Sequence, residues 1–160
     1  MKKTGKGEKL SQALSQAIAV SNILIIILSV NYASSKSCLA ELSDIIDCKH
    51  TQGHIVLPIF YHVDPSDVRN IGGSFKTSFD EHETRRLVDE VKRWKTAFAE
   101  VGKLEGWHND GSISNRLETK YIKDIVVCVM QKLMKHQVFL SLGEDTCLNF
   151  SNHLVKGVGV

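Results

Sequence analysis

The scarcities of this 160-residue chain exclude more than its abundances suggest. Basic residues are scarce as runs. No five follow one another, and the net charge is only +2, which argues against a nucleic-acid partner. The four cysteines, Cys38, Cys48, Cys128 and Cys147, form no CxxC pair, which removes a disulfide scaffold and a zinc ribbon and fits a reduced, cytoplasmic protein. Cys48, His50 and His54 lie close together but match no zinc spacing and have no evident fourth ligand, so no metal is expected. The two prolines, Pro58 and Pro65, leave no room for a rigid linker. Neither a GxGxxG nor a P-loop is present, and no strand ends in the acidic cluster of a phospho-acceptor domain. Repeats and low-complexity segments are also missing. No apolar run reaches the ~20 residues that a membrane-spanning helix needs.

What remains is an ordinary globular composition, 42% apolar and 24% charged, arranged around Asn22–Glu41. Six unbroken apolar residues, Ile23 to Leu28, are mostly β-branched and read as a buried parallel strand. Small polar residues (Asn31, Ser34, Ser35) then turn the chain into a helix carrying Glu41. Ligands of open α/β sheets bind beyond the carboxyl ends of the strands, so Glu41 stands where a site would form.

The rest alternates in the same way. Leu10, Ala13, Leu14, Ala17 and Ile18 keep one face of a helix. Leu39, Leu42, Ile45 and Ile46 keep another, which Gly53 ends. Ile55–Tyr61 reads as a second strand, placed by Pro58 at a sheet edge or where one ladder bond is missing. Asp64-Pro65 opens a helix after a turn, and Leu87, Val91, Trp94 and Phe98 keep helical spacing up to Gly102. Trp94 and Trp107 read as core residues. Gly106-Trp107-His108 allows only a very short strand, and Ile122 to Leu133 mark a further helix with Lys132 and Lys135 near its end. Val138–Leu142 reads as a strand, and Asp145 or Thr146 as the cap of a short final helix to about Lys156. Alternating helices and strands predict a flavodoxin-like, three-layer α/β fold with helices on both faces of a parallel sheet.

Four blocks, SVNYASSKSCLAEL (29–42), IVLPIFYHVDPSDVRN (55–70), Gly106-Trp107-His108 and VFLSLGEDTCLNFSNHL (138–154), resemble the plant Toll/interleukin-1 receptor (TIR) domain of TIR-NBS-LRR disease-resistance proteins. Residues 1–160 are thus expected to form one TIR-like domain lacking one edge strand. The order departs from the family's: 7–135 match it from its second helix to its last, while 137–156 match its first strand and first helix. The chain is therefore read either as a permuted domain or as a fragment of a tandem array. Closure would place Val138–Leu142 in parallel beside Ile23–Leu28 in a sheet of four or five strands, since an apolar edge invites aggregation.

The resemblance implies cleavage of NAD+ or NADP+, as substrate rather than cofactor, at the nicotinamide–ribose bond. The expected activity is that of an NAD+ glycohydrolase of the ADP-ribosyl cyclase/cyclic ADP-ribose hydrolase type, in innate-immune signalling. Glu41 falls at the family's catalytic glutamate, with Ser37, Cys38, Gly143 and Gly7 as substrate-binding positions. Asn152-His153 falls where the family uses a Ser-His pair for association with other TIR domains. The departures concern binding. Ser37 replaces a tryptophan, the arginines flanking the GEDT block are gone, and the loop at Gly5–Gly7 survives only in part. The alternative is a catalytically weak adaptor or decoy that acts only by TIR–TIR association.

A third reading is a small membrane-anchored protein, because Lys2, Lys3, Lys6 and Lys9 precede the apolar stretch Ala17 to Val30. Ser21-Asn22 break that stretch into the end of a helix and the start of a strand, and its apolar part is short for a signal sequence. Carbonate-washed membranes should therefore be free of the protein, which should stay in the supernatant. Recovery of folded protein in the pellet would contradict this.

Overall fold

The computed structural model describes residues 5–110 and 115–141, which fall into two compact units, 1–114 and 115–160. Elements of the first unit run in the order α1 (Gly5–Val20), β1 (Ile23–Leu28), a 3-10 turn (Tyr32–Ser34), α2 (Lys36–Gln52), β2 (Ile55–Tyr61), α3 (Pro65–Asn70), α4 (Gly73–Arg85), α5 (Val88–Val101) and β3 (Trp107–Asn109). The described part of the second unit is α6 (Asn115–Ser141). No described helix is long and apolar enough to cross a membrane, and the stretch Ala17 to Leu28 is divided between α1 and β1.

The three strands form a parallel sheet in the order β1-β2-β3. Ile23 pairs with Ile55 and Leu28 with Phe60, while β3 pairs with β2 from Ile59–Trp107 to Tyr61–Asn109. Pro58 therefore lies in the central strand of the described sheet and not at an edge. Its ring removes a donor, and the geometry shows where the loss falls. A residue in a strand points its N–H and C=O to the same side, and Gly106 approaches the Pro58 carbonyl. The missing N–H thus faces β3, one residue before that ladder begins, and the β1–β2 ladder is unaffected.

One face of the sheet carries the core. Ile26, Leu28, Val56 and Phe60 pack with Leu39, Leu42 and Ile46 of α2 and with the buried stripe Val91, Trp94, Phe98 and Val101 of α5. Those α5 residues recur at i, i+3, i+7 and i+10, the period that keeps one helix face inward. Phe98 is fully buried and meets Phe75 and Phe79 of α4 edge-on, with ring centroids 4.9 and 5.4 Å apart. Outside the core, Arg93 ties α5 to Asp44 and Asp47 of α2 at 2.8 and 2.6 Å. Ser35 caps the start of α2, and Gly53 ends it in the left-handed conformation at φ 72° that favours glycine.

The structure adds one helix to the sequence reading and overturns one strand. The segment Gly73–Arg85 is helical although only Phe75 and Phe79, one turn apart, face inward, which is too little periodicity to read. The strand expected at Val138–Leu142, paired with β1, is not formed: residues 138–141 continue α6, and Leu142 lies outside the described residues. A short apolar run suits a strand or a helix equally, and no glycine or proline intervenes after Met134 to stop the helix. Among the described residues β1 is consequently an outer strand, buried on one face only. Ile26 and Leu28 are inside, while Ile25 and Ile27 are 47% and 59% exposed. The final helix expected at 145–156 lies outside the described residues.

Gly106 supplies a direct test of the β2–β3 junction. A Cβ at this position would collide with the carbonyl oxygen and ring of Pro58, both held in the central strand. Gly106→Ala should lower stability by about 2–3 kcal/mol, as overpacking against fixed backbone does. Urea denaturation of the two proteins would measure it, and equal midpoints would refute the close approach.

Candidate active site

The junction between β1 and α2 is short and tightly built. Leu28 ends the strand fully buried, and the Tyr32 N–H donates to the Ser29 carbonyl at 3.0 Å to begin the 3-10 turn. Ser34 closes on the Asn31 carbonyl through both its N–H (3.2 Å) and its hydroxyl (2.7 Å). Ala33 is fully buried, and its carbonyl accepts a hydrogen bond from His82 Nε2 of α4 at 2.9 Å. A carbonyl only accepts, so the ring nitrogen must carry the proton. The Ser35 hydroxyl then accepts from the Cys38 N–H at 3.3 Å, which satisfies one of the free donors of the first turn.

Glu41 follows one turn later. It is i+4 from Ser37 and i+3 from Cys38, so the three residues share one side of α2. Ser37 is exposed, Cys38 and Glu41 are half-buried, and no described residue makes a hydrogen bond or ion pair with the Glu41 carboxylate. Tyr32 feels its charge. Its hydroxyl donates to the Cys38 carbonyl at 3.3 Å, and its ring lies 6.4 Å from that of Phe98. Burial above all, and then the negative charges that Cys38 and Glu41 can carry, push the Tyr32 phenol well above the ordinary tyrosine range. It remains a neutral donor at any physiological pH.

Of the other substrate-binding and association positions, only Gly7 falls among the described residues. Gly7 lies in the first turn of α1, since Gly5–Gly7 is helical and not a loop. Gly143, Asn152 and His153 lie outside the described residues. Trp94 is buried, as expected of a core residue, with its ring 5.3 Å from that of His82. Cys48 and His50 face other work: the Cys48 sulfur accepts from Gln52, and His50 Nε2 meets Glu100 at 2.9 Å. No group of three His, Cys, Asp or Glu among the described residues could hold a metal ion.

Sequence reasoning missed Tyr32 and His82, the two side chains that hold the junction. Tyr32 stands inside the NYASS run, but nothing in the run shows that its hydroxyl reaches α2. His82 is 49 residues from the carbonyl it holds. A cluster at the carboxyl end of β2 was also not anticipated. Tyr61 and His62 stack with centroids 4.2 Å apart, and His62 sits at φ 55°, an uncommon conformation held by its N–H bond to the Asn109 carbonyl at 2.7 Å. Beside it the Ser66 N–H, more than the Ser66 hydroxyl or the charges of His108 and Arg69, holds the Asp64 carboxyl below its usual range.

A cavity of about 340 Å³ lies between α2 and α5, lined by Ser43, Asp47, His50, Arg93 and Glu100. Its principal charges already pair with one another, so it reads as the seam of the helix pair rather than as a site.

Comparisons with known proteins agree with this arrangement. The model of the family described as "TIR domain" matches residues 1–137. The chain is similar to "Disease resistance protein RPV1" of Vitis rotundifolia, with 41% identity over 80% of this chain and 9% of that protein. It is 44% identical to "Disease resistance protein RML1A" of Arabidopsis thaliana over 88% of this chain and 16% of that protein. It is 41% identical to "TMV resistance protein N" of Nicotiana glutinosa over 81% and 11%. The chain thus spans between about a tenth and a sixth of the length of these relatives. Among solved structures it resembles the TIR domains of the activated Roq1 resistosome, which directly recognises the pathogen effector XopQ. That match has a TM-score of 0.66 and 32% identity, covering 78% of each chain.

The raised Tyr32 phenol has a consequence for stability. Below about pH 10 Tyr32 is protonated in folded and unfolded chains alike; above it only the unfolded chain releases the proton. Stability should therefore be full below about pH 10 and decline as the pH rises further. Urea midpoints at about pH 9 and pH 11 should fall more in the unaltered chain than in Tyr32→Phe. Parallel declines would refute the burial of this phenol.

Proposed function

The chain belongs to the TIR domain family, and on that premise we propose that it acts in plant innate-immune signalling by hydrolysing NAD+ or NADP+ at the nicotinamide–ribose bond, with Glu41 as the catalytic carboxylate. One observation carries the reading. Glu41 stands half-buried on the second turn of α2, beyond the carboxyl end of β1, with its carboxylate uncommitted to any described residue. Glu100, by contrast, is committed to His50 and Lys49.

The chemistry explains why one carboxylate suffices. Ordinary glycosidases use two, one of them to protonate the leaving group. Here the C1′–N bond breaks with its electron pair going to nicotinamide, which leaves as a neutral molecule from a cationic precursor. No acid is needed. A fixed negative charge stabilises the developing oxocarbenium ion, and hydrogen bonds to the ribose hydroxyls hold the sugar in place. Water then adds to C1′ and gives up one proton, leaving ADP-ribose. Ser37 and Cys38, on the same side of α2, border the place where the substrate would lie.

The likeness to the Roq1 TIR domains in an assembled resistosome supports association with other TIR domains as the setting for this activity. Such signalling would take place in the cytoplasm. A second reading, an adaptor that only associates, is favoured by Ser37, which is exposed where the family has a tryptophan wall. Loss of one stacking contact costs roughly 1–3 kcal/mol by analogy with base–aromatic stacking, which is about tenfold or more in affinity.

Nicotinamide release from NAD+ at high protein concentration separates the two. The unaltered chain should be slow, Ser37→Trp should raise turnover at low substrate about tenfold, and Glu41→Gln should reduce it by about a hundredfold or more. A Glu41→Gln protein as fast as its parent would remove the carboxylate from the mechanism. Inactivity of all three would favour the adaptor.

A further inference from the structure

We infer that Tyr32 is the positioning residue for Glu41: its hydroxyl grips the Cys38 carbonyl and so fixes the direction in which the Glu41 carboxylate leaves α2. This rests on the reading of Glu41 given above, and it deepens that reading by naming what aims the carboxylate.

The first turn of a helix is its least determined part, because its N–H groups have no partner within the helix. In α2 the residue at its centre, Cys38, is held at both ends by side chains from the preceding junction. Ser35 accepts from its N–H at 3.3 Å, and the Tyr32 hydroxyl donates to its carbonyl at 3.3 Å. A carbonyl oxygen has two lone pairs, so the Tyr32 bond adds to the helical bond from the Leu42 N–H rather than replacing it. Both groups lie within seven residues of Cys38, and the short path leaves little slack.

The holder is itself fixed. The Tyr32 ring packs near Phe98, which has no exposure, and the adjoining Ala33 carbonyl is taken by His82 from α4. The donor is also permanent, since burial keeps the phenol protonated. From Cys38 the helix needs only three more residues to reach Glu41, so a rotation of the first turn about its axis is carried directly to the carboxylate. Displacements of about 1 Å at a reacting centre can cost about a hundredfold in rate. Loss of one of several restraints should cost less.

The test uses the full chain. Tyr32→Phe keeps the ring and removes only the donor. Expected is about a tenfold fall in kcat for nicotinamide release, with KM within about twofold and the melting transition intact. A Tyr32 that merely fills the core would leave both stability and kcat as they were, since the ring remains, and an unchanged kcat overturns the proposal. Replacing the phenol by an aniline restores a donor at the same place. It should return kcat to within about threefold of the parent, and a tenfold loss with this donor present would equally overturn it.

Failure of the NAD+ reading itself is distinguishable. If the unaltered chain cleaves no dinucleotide, amide exchange reports on the grip without any reaction. Exchange at Leu42 should then rise severalfold in Tyr32→Phe relative to Lys49 and His50 at the far end of α2. Equal exchange at both ends would overturn the positioning role.

Discussion

The structure depends on one packing arrangement, the burial of Phe98 between the edges of Phe75 and Phe79 with Tyr32 alongside. Three segments meet at that ring: α5 supplies it, α4 supplies Phe75 and Phe79, and the β1–α2 junction supplies Tyr32. Edge-to-face aromatic contacts add about 0.5–1.5 kcal/mol each beyond the area they bury. More important is their direction. Because each ring accepts its neighbour only in a narrow range of orientations, the cluster fixes α4 and the junction relative to α5, and α5 in turn holds α2. The site is thus set by a core that lies behind it, and His82 links the two by reaching from α4 to the Ala33 carbonyl.

That arrangement suits a reaction with few chemical demands on the protein. A neutral leaving group requires no acid, and the developing positive charge on the ribose requires one carboxylate held where water cannot reorganise freely. Glu41 is half-buried and next to a phenol that burial keeps protonated, so its charge meets no competing anion from that side. The departures from the family concern positions that would bind. Ser37 offers no aromatic surface, and the family's arginines beside the GEDT block have no counterpart. On the proposed reading, Glu41 would work with a weak hold on its substrate, and association with further TIR domains would matter the more.

Much of this was legible in the sequence, and the reasons differ by element. The bounds of β1 and β2 could be read because each is an apolar run closed by turn residues, and α2 because Ser35 and Gly53 mark its ends. Glu41 is singled out by its motif, and its role stands as proposed. Tyr32 and His82 were not, because what they do depends on a tertiary contact. Pro58 suits a sheet edge or a place where one ladder bond is missing, and the structure takes the second: the strand is central, and the absent N–H falls just outside the β3 ladder. Val138–Ser141 illustrates the opposite failure: the local pattern suits a strand, yet a helix already under way meets nothing that stops it.

The central claim is that the Glu41 carboxylate addresses the ribose of a nicotinamide dinucleotide. A crystal structure of the chain with carba-NAD+, whose nicotinamide–sugar bond resists hydrolysis, tests it most directly. The account predicts the nicotinamide-bearing ring beyond the end of β1, with a hydroxyl within about 3 Å of a Glu41 carboxylate oxygen, as a hydrogen bond requires. A dinucleotide bound elsewhere, or one whose ribose turns away from Glu41, would contradict it.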